Sequence, residues 1–223
     1  MRLHFVALAL VPIAYGQTSG KCADLLKFKI PGVALTITKA EPVAAEPGKA
    51  GLPSRCQAEG MIDQRTGAGG KTYGIGFAIA LPDNWSNRFL FQGGGGFNGT
   101  VRPPLGAAAA GDHPALARGF AVVSTDTGHQ GGDQSFFQDQ QAGLDFAYVA
   151  IGRVAVIAKQ IVAHYYGQPA RYSYFAGCST GGREAMTMTQ RYPDYFDGVI
   201  AGDPAMRTRY AEIGRTWTTV AQG

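Results

Sequence analysis

The sequence has 223 residues, 45% hydrophobic and 16% charged, which is enough apolar material for one buried core and excludes a disordered chain. A formal charge of +4 and a pI near 9.0 come without a run of Lys or Arg, which excludes the basic footprint of a nucleic-acid binder. Glycine is abundant, at 32 residues, and much of it falls at turn positions, which points to a loop-rich fold.

Residues 1–16 open with Arg2, continue through an apolar run and end on the small residues Ala14 and Gly16. This reads as a secretory signal, with cleavage before Gln17 and a mature chain over 17–223. Pro12 argues against a buried first helix, and the run is too short to span a bilayer. No membrane segment is expected, and the protein is expected to be secreted, extracellular or periplasmic. In that oxidising setting the three cysteines carry information. Cys22 and Cys56 lie near the edges of N-terminal strand segments, and a local disulfide between them is expected; two free thiols are the alternative. Cys178 is left over.

Pro31 to Thr38 is β-rich and predicts a first strand. Ala40 to Pro53 is small, polar and Pro-containing, hence a loop. Arg55 to Ile62 predicts the returning strand, Gly67 to Gly70 a turn, and Gly74 to Pro82 a further strand. Arg88 to Gln92 predicts a short buried strand that runs into the loop Gly93 to Gly99.

Two readings compete for that loop. Gly94, Gly96 and Gly99 fit the G-x-G-x-x-G dinucleotide fingerprint, which needs a helix opening on the third glycine. Pro103 and Pro104 follow closely and argue against one. The alternative is the Gly-rich loop after the third strand of an α/β-hydrolase, where backbone N–H groups can approach an oxyanion unobstructed.

Gly106 to Gly111 allows a short helix, and Asp112 to Gly119 predicts a helix ending on Gly119. Phe120 to Thr125 is a continuous apolar run, as in a strand buried on both faces. Asp126 and His129 follow at its C-terminal end and read as loop-fixing residues; His113 reads as a surface turn residue. Asp145 to Tyr166 is the clearest helix. Its stripe is Phe146, Ala150, Val154, Ile157, Ile161 and Tyr165. His164 sits in the last turn, where a cation suits the helix dipole, and Gly167 and Pro169 stop the helix.

Tyr172 to Cys178 predicts a strand and Thr180 onward a helix. The turn between them, Gly177-Cys178-Ser179-Thr180-Gly181, fits the G-x-S-x-G nucleophile elbow. Ser179 is the candidate nucleophile, and the Thr180 N–H at the helix start is a candidate oxyanion donor. A Gly-rich turn with a capping serine is the bland alternative. Phe196 to Gly202 predicts the next strand. Asn84-Trp85-Ser86 and Asn98-Gly99-Thr100 match the N-glycosylation sequon.

Gly177 to Glu184, followed by Arg191 to Gly202, resembles the tannase and feruloyl esterase family of secreted serine esterases. The cysteine directly before the nucleophile is the specific mark. The resemblance runs from about Cys22 to the end of the sequence and matches the family's N-terminal part. It implies an α/β-hydrolase fold, a mostly parallel sheet with flanking helices, ending before the lid and the C-terminal part of the sheet. It implies hydrolysis of phenolic acid esters, feruloyl or galloyl, free or polysaccharide-linked, by Ser179. Gly94 and Gly95, to within one residue, are assigned with Thr180 to the oxyanion hole. In the family the cysteine at this position pairs with one beside the catalytic histidine; here that partner is absent and Cys178 is expected free. The family's acid, histidine and calcium-binding lid fall beyond these residues, so no cofactor and no metal ligand is expected here. Asp203, at a place where the family has a small residue, is not taken as the acid. All four histidines precede Ser179, so the rival expectation is a hydrolase fragment without turnover.

Overall fold

The computed structural model describes residues 15–46, 48, 51–107, 112–206, 217, 220 and 221. The expected signal segment lies outside them except for its last two residues, which open α1 (Tyr15–Asp24). Seven strands form one sheet: β1 (Leu35–Val43), β2 (Arg55–Thr66), β3 (Thr72–Pro82), β4 (Arg88–Gln92), β5 (Phe120–Thr125), β6 (Tyr172–Cys178) and β7 (Gly198–Gly202). Their order across the sheet is β1-β2-β3-β5-β4-β6-β7. β1, β2 and β3 form an antiparallel meander, β3 joins β5 antiparallel, and β5, β4, β6 and β7 pair parallel. Only β1 and β3 therefore run against the other five. The crossover of β4 and β5 and the parallel half make this an α/β-hydrolase sheet, as expected.

Burial explains why these segments are strands. β5 is buried at every residue, and β4 at all but Arg88. On one face Phe89, Phe91 and Phe175 join Ile79, Ala121 and Val123 in the main core. Phe91 and Phe175, paired across β4 and β6, stack with centroids 4.9 Å apart. On the other face Leu90, Val122, Ala176 and Phe120 form a smaller cluster with Leu116. Alternate residues of one strand thus enter two cores.

The helices cover the main core. The stretch from Gln140 to Tyr166 is helical throughout: α2 (Gln140–Leu144), a π-helical turn (Asp145–Val149) and α3 (Ala150–Tyr166). An 18-residue part of it is apolar enough to suit a membrane span by length and composition. Here Ala150, Val154, Ile157, Ile161 and Tyr165 are buried in the main core instead. Gly167 ends it in the left-handed conformation, with φ 75°. At this end Trp85 stacks on Tyr166 at 3.8 Å, and the Tyr166 hydroxyl donates to the Pro82 carbonyl.

Several elements differ from expectation in extent or place. β1 starts at Leu35 and continues to Val43, past the expected loop start at Ala40. Ala40 is buried with Leu35 and Ile37, and the strand carries on through a register shift between Ile37 and Lys39 that returns Ala40 to the buried face. Pro42 is tolerated because β1 is an edge strand, with one side needing no ladder donor. The helix predicted to end on Gly119 is a short 3-10 turn (Ala115–Arg118), with Gly119 left-handed at φ 80°. Cys22 sits on a helix, α1, rather than at the edge of a strand segment.

Cys22 and Cys56 are disulfide-bonded, Cα atoms 5.5 Å apart and 34 residues apart in sequence. The bond ties α1 to β2, and Cys178 is free and exposed. Replacing both bonded cysteines with Ala should cost roughly 3–4 kcal/mol, the chain-entropy value for closing a loop of this order. Urea unfolding measures it; an unchanged midpoint would mean that the bridge does not constrain the unfolded chain. Thiol titration of the denatured, unreduced protein should find one thiol, at Cys178.

Candidate active site

β6 delivers the chain to a turn of one residue, Ser179, and α4 (Thr180–Arg191) starts at once. Ser179 has φ 58° and ψ −119°, a region L-residues rarely occupy. Its surroundings hold it there. Its N–H donates to the Gly202 carbonyl at the end of β7, and its own carbonyl accepts from the Arg183 and Ala205 N–H groups, each at 3.0 Å. The side chain is exposed.

The glycines around it are required by contact. A Cβ on Gly177 would stand 2.5 Å from the Gly181 carbonyl, and one on Gly181 would stand 2.8 Å from the Gly94 oxygen. A Cβ on Gly93 would meet the Gly181 Cα at 2.8 Å, and one on Gly182 would meet the Gly202 oxygen at 2.3 Å. The first turn of α4 therefore lies backbone to backbone on the ends of β4, β6 and β7. The Thr180 hydroxyl donates to the Gly96 carbonyl, which brings the glycine loop over the helix start. The Thr180 N–H belongs to the first helical residue, which has no acceptor within its own helix.

The Gly94 and Gly95 N–H groups are engaged within the protein. The loop lies against the elbow as predicted, but neither residue offers a free N–H. That of Gly94 donates to a Glu184 carboxylate oxygen at 2.9 Å, and that of Gly95 to the Asn98 side-chain oxygen at 2.9 Å. Gly93 continues the ladder by donating to the Ala176 carbonyl. Gly96, at φ 59°, is the first loop residue whose N–H makes no hydrogen bond among the described residues. The dinucleotide reading fails here too, because no helix opens on Gly99.

Glu184 had not been singled out from the sequence. It is fully buried on α4, and besides Gly94 it accepts from the Asn98 amide at 2.7 Å. Burial raises its pKa, opposed by these two bonds and by Arg183 and Arg102. Beside it, Arg183 donates to the Phe146 and Ala147 carbonyls in the π-helical turn. With its amide committed, Asn98 has no free nitrogen for a glycan, whereas Asn84 is exposed.

Asp126 fixes the loop after β5, as read from the sequence. One of its oxygens accepts from the Gly76 and Gly128 N–H groups and the other from the Gln130 amide. His129 is buried and stacked on Phe136 at 3.7 Å, burial lowering its pKa, and it makes no bond to Ser179. His164 packs on Phe28 at the far end of α3. Asp203 is exposed, with φ 37°. Two cavities, of about 310 and 370 Å³, are lined by other residues than Ser179. No group of three metal-ligating side chains occurs among the described residues, and nothing here fits the calcium of the resemblance.

A profile of the family described as "Tannase and feruloyl esterase" matches residues 56–222. The chain belongs to the tannase and feruloyl esterase family. Over 180 residues it is 40% identical to the mono(2-hydroxyethyl) terephthalate hydrolase of Piscinibacter sakaiensis, covering 76% of this chain and 30% of that protein. Over 129 residues it is 43% identical to a probable feruloyl esterase B-2 of Aspergillus flavus, covering 57% of this chain and 24% of the relative. Among solved structures it is similar to feruloyl esterase B from Aspergillus oryzae, with a TM-score of 0.70 and 30% identity over 84% of this chain and 37% of that one. The chain thus spans well under half of the length of each of these relatives, 24–37%.

Burial pushes the Asp126 carboxyl up to about 6 from its ordinary 3.8. The folded state therefore favours the protonated form. That contribution is complete below about pH 4 and is lost as pH rises through about 6. Relative to Asp126→Asn, the wild type should lose roughly 1.4 kcal/mol per pH unit across this window and nothing further above it. Urea unfolding of both proteins from pH 4 to 7 checks this; a constant difference would contradict it.

Proposed function

We propose that this chain carries the nucleophile half of a serine carboxylic ester hydrolase acting on phenolic acid esters, of the feruloyl or galloyl kind. The observation that carries the reading is the conformation of Ser179: exposed, at φ 58°, between a buried parallel strand and a helix start. The relatives' names add ester hydrolysis as the chemistry and aromatic acids as the acyl groups.

In this reading the Ser179 oxygen attacks the ester carbonyl and loses its proton to a base. The carbonyl oxygen becomes an anion. The Thr180 N–H and the positive end of α4 face it, and the Gly96 N–H replaces Gly94 and Gly95 as the second donor. Collapse of the intermediate expels the alcohol and leaves an acyl-serine for water to hydrolyse. The base and its orienting acid come from outside these residues, since all four histidines precede the serine and none bonds to it among the described residues. The same observation favours a second reading, in which the 223 residues alone bind or become acylated without turnover. Secretion fits the Cys22–Cys56 bond. Neither nucleic acid nor membrane is part of the proposal.

In a protein carrying the complete domain, and with it the base, a fluorophosphonate should label Ser179, located by peptide mapping, and Ser179→Ala should abolish the labelling. In that protein the same substitution should cut methyl ferulate hydrolysis by orders of magnitude, about 10⁶ in one serine protease. Hydrolysis at an undiminished rate would remove Ser179 from the mechanism.

A further inference from the structure

Glu184 poses a question that packing does not answer. It is fully buried, yet no cation bonds to it: the Arg183 guanidinium is engaged by the Phe146 and Ala147 carbonyls. A buried carboxylate is costly unless its acceptor sites are filled, and an apolar side chain would fill the space at lower cost. Each of its oxygens has one hydrogen-bond partner, and both partners belong to the glycine loop. One oxygen takes the Gly94 N–H and the other takes the Asn98 amide. Asn98 passes the connection on, because its side-chain oxygen takes the Gly95 N–H while its own N–H closes a turn onto the Gly95 carbonyl. A Cβ on Gly94 would stand 2.4 Å from the Asn98 amide, so the loop must be glycine there for the arrangement to close. Asn98 itself has φ 52°, which Asn tolerates better than most residues.

The structure assigns Glu184, with Asn98, as a positioning residue: the pair fixes the glycine loop to the nucleophile helix and turns the Gly94 and Gly95 N–H groups inward. Gly96 is then the residue left to face the serine. The inference rests on the reading of Ser179 as a nucleophile. The coupling is direct because Glu184 and Ser179 are joined by the first turns of one helix, so the loop is referenced to the element that sets the serine.

Donor and acceptor counting gives the test. In Glu184→Gln the new amide can still accept from Gly94, but its NH2 faces the Asn98 NH2. Turning the Asn98 amide over removes that clash and sets an NH2 against the Gly95 N–H instead. In Asn98→Asp two carboxylates face each other. The double variant E184Q/N98D matches every donor to an acceptor again, because the amide at 184 donates to the carboxylate at 98. Amide exchange at Gly94 and Gly95 by NMR, with Val122 of β5 as the global reference, reads the loop. The rate of Ser179 phosphonylation by a fluorophosphonate, in a protein carrying the complete domain and so the base, reads the site.

Each single variant should speed exchange at Gly94 and Gly95 by about tenfold relative to Val122, as expected for one unmatched buried hydrogen bond. Each should also slow phosphonylation, and the double variant should return both readings to wild type. If a single variant fails to fold, a folded double variant with wild-type readings still supports the assignment. Unchanged loop exchange in the single variants, a double variant that restores neither reading, or lost stability with unchanged phosphonylation would overturn it. If wild-type Ser179 takes no label, the nucleophile reading fails, and loop exchange alone decides whether the clamp exists.

Discussion

The contact on which this site depends is a meeting of three backbones. Gly93 at the end of β4, Gly177 near the end of β6 and Gly181 in the first turn of α4 approach so closely that a single methyl group on any of them would overlap another. Contact at this range lets the sheet ladder run to its last residue, Gly93 donating to Ala176, while the helix begins directly above. A side chain here would lift α4 off the strand ends and move the serine with it. The strained backbone of Ser179 is tolerated because bonds from Gly202, Arg183 and Ala205 over-determine it.

Two adjacent side chains of α4 carry this anchoring outward. Arg183 reaches the carbonyls of the π-helical turn between α2 and α3, a turn whose altered ladder sits where the long helix meets the site. Glu184 enters the protein and takes hold of the glycine loop. The Ser179 turn, the loop after β4 and the long core helix are thus fixed to one short helix. Preorganised donors of this kind cost no reorganisation when charge develops in front of them.

Much of this was legible in the sequence where a local rule decides the outcome. Continuous apolar runs placed β4 and β5, and the glycine spacing around Ser179 placed the elbow. The apolar stripe placed α3, although its helical stretch starts earlier, at Gln140, capped by the Asp139 carboxylate on the Ala142 N–H. The end of β1 was missed because Pro42 reads as a breaker, and its tolerance depends on the strand being at an edge. The hydrogen bonds of the Gly94 and Gly95 N–H groups were not legible for a deeper reason. A glycine-rich loop shows that backbone can come close, but not which N–H groups remain free. Here that is decided by Glu184, 90 residues away, and in the sequence Glu184 is only one charged residue on an amphipathic helix.

The central claim is that Thr180 and Gly96, and not Gly94 or Gly95, face the charge that would develop on a substrate at Ser179. A crystal structure of the Ser179 phosphonate adduct tests this most directly. The account predicts a phosphonyl oxygen about 2.7–3.1 Å from the Thr180 and Gly96 nitrogens, with the Gly94 N–H still on Glu184. An oxygen held instead by the Gly94 or Gly95 nitrogen, with Glu184 released, would contradict it.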